Sequence, residues 1–356
     1  MTTRIISQPG ALISLAAVVV LIYGMQAASV LLVPFLVAAF LALITVRPML
    51  WMQSKRVPQL LAVVIIVIGI GLFLSVIVAL VGASVADFTA ALPGYQQRLD
   101  TIVRQFVDYI SQWFDGQLEL QQLREIFDPG LAIRMAGTIL NSVRGVLTNI
   151  FLIVLTMVFI LLEASSLRIK MSAVLAGRDE DGREGALVNT REFLNNLGRY
   201  LGIKTMVSLA TGLLIGLLTW LIGLDFPLLW ALLAFLLNYI PTIGSILAAV
   251  PAVLLALVTL GVGPMLATLA AFVSVNIMFG NFLEPRLLGH GVGISPLVVF
   301  VGLFFWGWVF GPVGMLLSVP LTMTVKMAVE SSERTRWLGL LLGSERNAKR
   351  ELEEGS

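Results

Sequence analysis

Apolar positions in this chain run in long unbroken stretches instead of alternating with polar ones. From Ala11 to Val46 no residue is charged. A membrane-crossing helix needs roughly 20 apolar residues. The stretch is therefore read as two spans, about 11–25 and 28–46, dividing near Gly24, Met25, Gln26 and Ser29. Pro34 falls near the start of the second, where proline disturbs a helix least. Further spans are predicted at 60–82, 145–162 and 203–222. Residues 227–329 are almost all apolar, yet Pro and Gly interrupt them repeatedly.

Two segments break this pattern. Residues 84–144 carry Asp87, Arg98, Asp100, Arg104, Glu119, Arg124 and Asp128, with Leu99, Ile102, Phe106 and Ile110 at helical spacing. That combination predicts amphipathic helices in a small extramembrane layer. Turns are expected at Pro93–Gly94 and at Asp128–Gly130. The second polar segment, 163–199, includes Arg168, Lys170, Arg178, Glu180 and Arg191. If the spans alternate, Arg4, Arg47, Lys55, Arg56, Arg168 and Lys170 share one side. Lys/Arg bias makes that side the cytoplasm. The 84–144 layer then faces outward, and both termini are cytoplasmic.

Composition turns this pattern into a class. Hydrophobic residues make up 58% of the 356 residues and charged residues 12%. Soluble domains carry about 25% charged residues, so lipid must be the solvent for much of this surface. The predicted fold class is an all-α polytopic membrane protein. The net charge of +2 gives no basis for a nucleic-acid partner. The absence of Cys and the single His290 leave no disulfide framework, thiolate site or multi-His metal site. No P-loop, H-E-x-x-H or G-x-S-x-G pattern is present. The glycine-rich turn Gly289–Gly293 lacks the strand and helix a dinucleotide site needs. No enzyme activity, cofactor or metal is expected.

The interrupted segments carry the most information. Residues 227–260 begin at Pro227, pass Trp230, break at Pro241–Gly244 and resume to Pro251. Residues 294–327 begin at Pro296, pass Trp308, break at Gly311, Pro312 and Gly314, and resume to Pro320. The two form a weak internal repeat. The arm 227–240 would rise about 21 Å as a helix, against roughly 30 Å of hydrocarbon. Short, broken segments at matching places in two halves mark transport sites, because unwound backbone survives in a membrane only where protein or a polar cavity covers it. Simple alternation starts the first segment outside and the second inside, which would invert them. Two readings remain open: re-entrant hairpins, and ordinary spans kinked by Pro and Gly.

Polar residues are few here. Asn238, Tyr239 and Thr242 flank the first break, Asn276 and Asn281 lie on the intervening span, and Glu284, Pro285 and Arg286 end it. Pro285 is expected to break that helix. Ionisable groups at membrane depth are functional candidates. Glu284 is the one carboxylate there suited to titration, with Asp225 a distant second. Glu163, Lys326 and Glu330 are read as interfacial.

Three runs, Asn238–Gly244 (NYIPTIG), Asn281–Gly289 (NFLEPRLLG) and Phe305–Pro320 (FWGWVFGPVGMLLSVP), resemble the autoinducer-2 exporter family of bacterial permeases. The likeness extends over nearly the whole chain, through Val33–Phe35, Leu92–Tyr95 and Leu162–Glu163. It implies about eight membrane passes, a homo-oligomer (a pentamer by that likeness alone) and export of a small polar signal, autoinducer-2. It also implies the alternative of Na⁺(Li⁺)/H⁺ antiport, with H⁺ or Na⁺ as coupling ion. A membrane scaffold that transports nothing is the remaining alternative.

The expected organisation is spans 1–83 as scaffold, an outer layer 84–144, a fourth span with cytoplasmic segment 145–199, a transport unit 200–329 and a tail 330–356. Within the transport unit, the candidate site residues are Asn238, Tyr239, Pro241, Thr242, Gly244, Asn276, Asn281, Glu284, Arg286, Gly311, Pro312 and Gly314. The amides suit ligand hydroxyls, and a neutral polyol suits a region poor in buried charge.

Overall fold

The computed structural model describes residues 8–111, 149–164, 166, 170, 180–288, 293–330 and 335–344. Most of the predicted outer layer beyond Ser111, the turn at Asp128–Gly130 and the turn bearing His290 lie outside them. The described residues are helical and form no sheet; one isolated bridge joins Ile294 and Gly343. Among the described residues, six helical segments are long and apolar enough to cross a membrane: Ser29–Ser54, Gln59–Ile77, Thr190–Ile222, Ile243–Leu260, Val262–Leu288 and Pro296–Leu316. Three shorter apolar helices, Ala16–Ala27, Ile150–Glu163 and Pro227–Leu237, accompany them. The outward side chains of these segments, such as Ile68, Leu213 and Phe300, are exposed and apolar, as a lipid solvent requires.

The chain divides into two compact units. One comprises Met1–Val63, Asn149–Leu197 and Gly293–Ser356. In it, α1 (Gln8–Ala27) and α2 (Ser29–Ser54) are separated by a single non-helical residue, Ala28. Buried Ala38, Ala42, Thr45 and Met49 recur along α2 at helical spacing. They form the face on which α4 (Ile150–Glu163) packs, with its own buried Ile153, Met157 and Leu161 at every fourth position. Small residues on α2 let the two axes approach without interhelical polar groups. The carboxylate of Glu163 closes α4 in an ion pair with Lys170.

The same unit holds α10 (Pro296–Leu316), α11 (Ser318–Glu330) and the short α12 (Arg336–Leu342). Gly311 leaves the helical region inside α10, at φ 66° and ψ −153°, so the helix is two arms with a reversal between them. After it the chain returns along the first arm. Trp306 donates its indole N–H to the Thr322 hydroxyl at 3.1 Å, and Gly314 lies against the carbonyl of Trp306. Trp306 stacks on Phe310 at 5.8 Å. These rings, with Val309, pack on Ile22, Met25, Leu32 and Leu36 of α1 and α2. Lys326 and Glu330 pair one turn apart at 2.5 Å.

The second unit comprises Val64–Thr148 and Gly198–Val292. Two long helices run through the division, α3 (Gln59–Ser111) and α5 (Glu180–Ile222). The turn expected at Pro93–Gly94 is not there: α3 continues through Pro93. Proline removes one backbone hydrogen bond and bends a helix without always ending it.

After α5, α6 (Pro227–Leu237) and α7 (Ile243–Leu260) form a helical hairpin. Gly212 and Gly216 of α5 face Ala231 of α6 so closely that a methyl group on either would come within 2.7 Å of it. The hairpin leads into one long helix, α8 (Val262–Asn276), a π-helical stretch Ile277–Leu283 and α9 (Glu284–Leu288). The break expected at Pro285 is also absent. Pro285 has no N–H for the carbonyl of Asn281, and the helix reaches it already widened, with the Glu284 amide bonded five residues back to Phe279. π-Helical turns cluster at functional sites.

Candidate functional site

The site grows from one face of α5. Tyr200, Lys204, Ser208 and Thr211 recur at three- and four-residue intervals in a largely apolar run, and Thr219 follows two turns later. All five are buried. Lys204 is the one charged residue between Leu201 and Ile222. A charge placed there in a membrane has to find its opposite, and it does. Its ammonium lies 2.8 Å from each carboxylate oxygen of Glu284. The two side chains are 6% and 16% exposed, so the pair is largely removed from solvent. Neither charge needs a proton or a free ion to neutralise it in this arrangement. Tyr200, one turn before Lys204 and fully packed, lies within electrostatic reach of Glu284 and Tyr239.

The next turns of α5 hold the end of α6. The Tyr239 hydroxyl donates to the Thr205 hydroxyl at 2.8 Å, and the Asn238 amide donates to the Ser208 hydroxyl at 2.9 Å. Phe235 meets Tyr239 edge to face. The chain then turns. Thr242 takes φ 59°, a left-handed conformation that β-branched residues rarely adopt. Its hydroxyl donates to the Pro241 carbonyl, and the Ser245 hydroxyl donates back to the Thr242 carbonyl. Gly244 lies directly against the carbonyl of Leu237, where no Cβ fits.

Beyond Ser208 lies a cavity of about 10 Å³, lined by Thr211, Ile215, Ala234, Asn238, Ser245, Ala248, Phe272, Val275 and Asn276. It gathers polar atoms from α5, from both sides of the α6–α7 turn and from the last residue of α8 before the π-helical stretch.

A family model for "AI-2E family transporter" matches residues 15–334 of this chain. The chain belongs to the AI-2E transporter family. It is 37% identical over 330 residues to the AI-2 transport protein TqsA of Escherichia coli K12, covering 93% of this chain and 94% of that protein. It is 36% identical over 333 residues to a Haemophilus influenzae protein described only as a transport protein, covering 93% and 95%. A second E. coli K12 relative, YhhT, shares 32% over 339 residues and 95% of each chain. This is a multi-pass membrane protein of a bacterial transporter family.

In this AI-2E family member the residues singled out from sequence fall in separate places. Asn238, Tyr239, Pro241, Thr242 and Gly244 form the α6–α7 turn, and Asn276 shares its cavity with Asn238. Glu284 pairs with Lys204, below the turn on the same α5 stripe. Asn281 is exposed within the π-helical stretch. Arg286 stacks its guanidinium over Phe282, 5.9 Å from the ring centre. Gly311, Pro312 and Gly314 form the reversal in the other compact unit. No group of His, Cys, Asp and Glu suited to a metal occurs among the described residues.

Sequence reasoning missed Lys204, Thr205, Ser208, Thr211 and Ser245. Lys204 alone carried a usable signal, as an uncompensated charge inside a predicted span. The hydroxyls carried none, because Ser and Thr are unremarkable on membrane helices.

Proposed function

We propose that this chain exports autoinducer-2, a small uncharged polyol signal, across the bacterial inner membrane as a secondary transporter, and that it is not an enzyme. The observation that carries this reading is 37% identity with TqsA over 94% of that protein. The chemistry of the second unit supports it. The turn and its cavity offer hydroxyl and amide groups, from Thr211, Asn238, Ser245 and Asn276. Such groups match an uncharged polyol, which both donates and accepts hydrogen bonds.

In this reading the α6–α7 and α10–α11 hairpins are re-entrant, inverted relative to one another, and bring their turns to the permeation path. Asn238, Tyr239, Thr242, Asn276 and Asn281 hold the signal. Pro241, Gly244, Gly311, Pro312 and Gly314 shape the turns, and Glu284 with Arg286 borders the path. Residues 200–329 move in an elevator-like step against spans 1–83, with both termini in the cytoplasm and the chain in a homo-oligomer. The two hairpins belong to different compact units, so concerted movement is itself a test of this scheme.

Na⁺(Li⁺)/H⁺ antiport is less well supported. It needs a carboxylate free to take a proton or cation, and Lys204 already occupies that place beside Glu284. The discriminating experiment uses cells that make autoinducer-2 but lack their own exporter. Expression of this chain lowers the intracellular signal and raises it in the medium. Unchanged partition with the protein present in the membrane contradicts export.

A further inference from the structure

The hydroxyl of Thr211 is out of keeping with its neighbours. On α5, Thr205 and Thr219 return their hydroxyls to the carbonyls four residues back, those of Leu201 and Ile215. Thr259, Thr268 and Thr322 do the same on their own helices. That bond is the default for a helical threonine with nothing better to do. Thr211 is more than nine-tenths buried, and its hydroxyl oxygen makes no hydrogen bond within the protein. A buried hydroxyl left unmatched is destabilising, and a standard remedy was available one turn away. The side chain lines the cavity instead.

We propose that this cavity is a binding site for one uncharged hydroxyl group, held by Thr211, Asn238, Ser245 and Asn276. Size sets the first limit. About 10 Å³ is the room taken by one water-sized group. Polarity sets the second. Asn238 spends one amide hydrogen on Ser208, and Ser245 spends its hydrogen on the Thr242 carbonyl. The Asn238 carbonyl, the Ser245 lone pairs, the Asn276 amide and the Thr211 hydroxyl are the groups left to a guest. They include donors and acceptors, and a hydroxyl is both.

Charge sets the third limit. The neighbouring charges, Lys204 and Glu284, neutralise each other. Nothing at the cavity calls for an ion. Ile215 and Phe272 add apolar lining, and the volume matches a single water-sized group.

That hydroxyl comes from a buried water or from the transported polyol. The second source rests on the export reading; the first does not. In either case the guest ties α5, the α6–α7 turn and the end of α8 together just where the helix widens.

Thermal unfolding of the purified full chain separates these cases. The parent, Thr211→Ser and Thr211→Val are compared with and without added autoinducer-2. Serine keeps the hydroxyl and valine replaces it with a methyl of similar size. If water fills the site, Thr211→Val unfolds several degrees lower than the parent without the signal, and Thr211→Ser does not. If a signal hydroxyl fills it, Thr211→Val unfolds no lower than the parent on its own, because valine removes the unmatched hydroxyl. It then needs about tenfold more autoinducer-2 for half of the parent's stabilising shift. A Thr211→Val chain that matches or exceeds the parent's midpoint and shows the parent's response overturns the proposal, whether that response is a shift or none. Absence of any shift in the parent counts against the cargo and leaves the water result to decide the site.

Discussion

The ammonium of Lys204 stands 2.8 Å from both carboxylate oxygens of Glu284, across 80 residues of sequence and within one compact unit. Burying either charge alone would be strongly unfavourable, whereas burying both together is close to neutral. The relationship therefore makes a prediction in two parts. Lys204→Met or Glu284→Gln alone strands a buried charge and destabilises the protein by about 3–5 kcal/mol. The double variant recovers most of that loss. Unfolding midpoints of the four proteins in detergent form the cycle. Losses that simply add in the double variant would mean the two side chains do not depend on each other.

The two hairpins share a sterically closed point. At Gly244 an added Cβ meets the Leu237 carbonyl, and at Gly314 it meets the Trp306 carbonyl. Backbone cannot swing aside as a side chain can. Gly244→Ala and Gly314→Ala should each destabilise by about 1–3 kcal/mol through overpacking. Gly24 on α1 has nothing within 4 Å of an added Cβ, so Gly24→Ala should be neutral or slightly stabilising. Equal midpoints for all three alanine variants would show that the turns are looser than described.

The carbonyl of Trp308 lies in the last turn before the reversal at Gly311, where helical carbonyls lose their intrahelical donors. Gln26 supplies the missing donor: its side-chain amide reaches that carbonyl at 3.1 Å. Tyr23 meets the Trp308 ring edge to face at 5.7 Å beside it. Gln26→Leu leaves the carbonyl bare against lipid or protein and should lower stability by about 1 kcal/mol. Gln26→Glu should do at least as much harm, since a carboxylate offers no hydrogen there. A Gln26→Leu chain as stable as the parent would deny the bond any weight.

Much of this architecture was legible in the sequence, for a simple reason. Span length is fixed by bilayer thickness, so uncharged runs announce helices, and the Pro–Gly clusters at 241–244 and 311–314 announce reversals. What escaped was interaction between distant segments. Lys204 and Glu284 sit on separate helices, and no periodicity in either announces the partner. Gln26 reads as a polar break between two spans, while its amide serves a carbonyl far along the chain. Prolines at 93 and 285 misled in the opposite direction. Their intrinsic penalty is real, but α3 continues through the first and a widened turn before α9 receives the second.

Outside the spans, the Tyr95 hydroxyl donates to the Asp225 carboxylate at 3.0 Å. Burial, the bond to Asp225 and the repulsion of that carboxylate push the Tyr95 pKa from 10.0 up to about 12. The folded protein thus holds this proton more tightly than the unfolded chain. The contact supports the fold fully below pH 10, and its contribution falls away as pH rises toward about 12. Tyr95→Phe should remove that part of the alkaline loss. The difference in tyrosinate absorbance between the two proteins should show one phenol ionising late. An ordinary midpoint near 10 for that phenol would contradict the contact.

The central claim is that this membrane fold carries a small uncharged signal through its hairpins. Its most direct test is efflux of labelled autoinducer-2 from proteoliposomes containing the purified chain, beside Gly314→Trp at equal incorporated and folded amounts. The account predicts release well above protein-free vesicles for the parent, and loss of that release in the variant. A folded, correctly incorporated parent that releases no signal, or a Gly314→Trp chain that releases it at the parent's rate, would contradict the account.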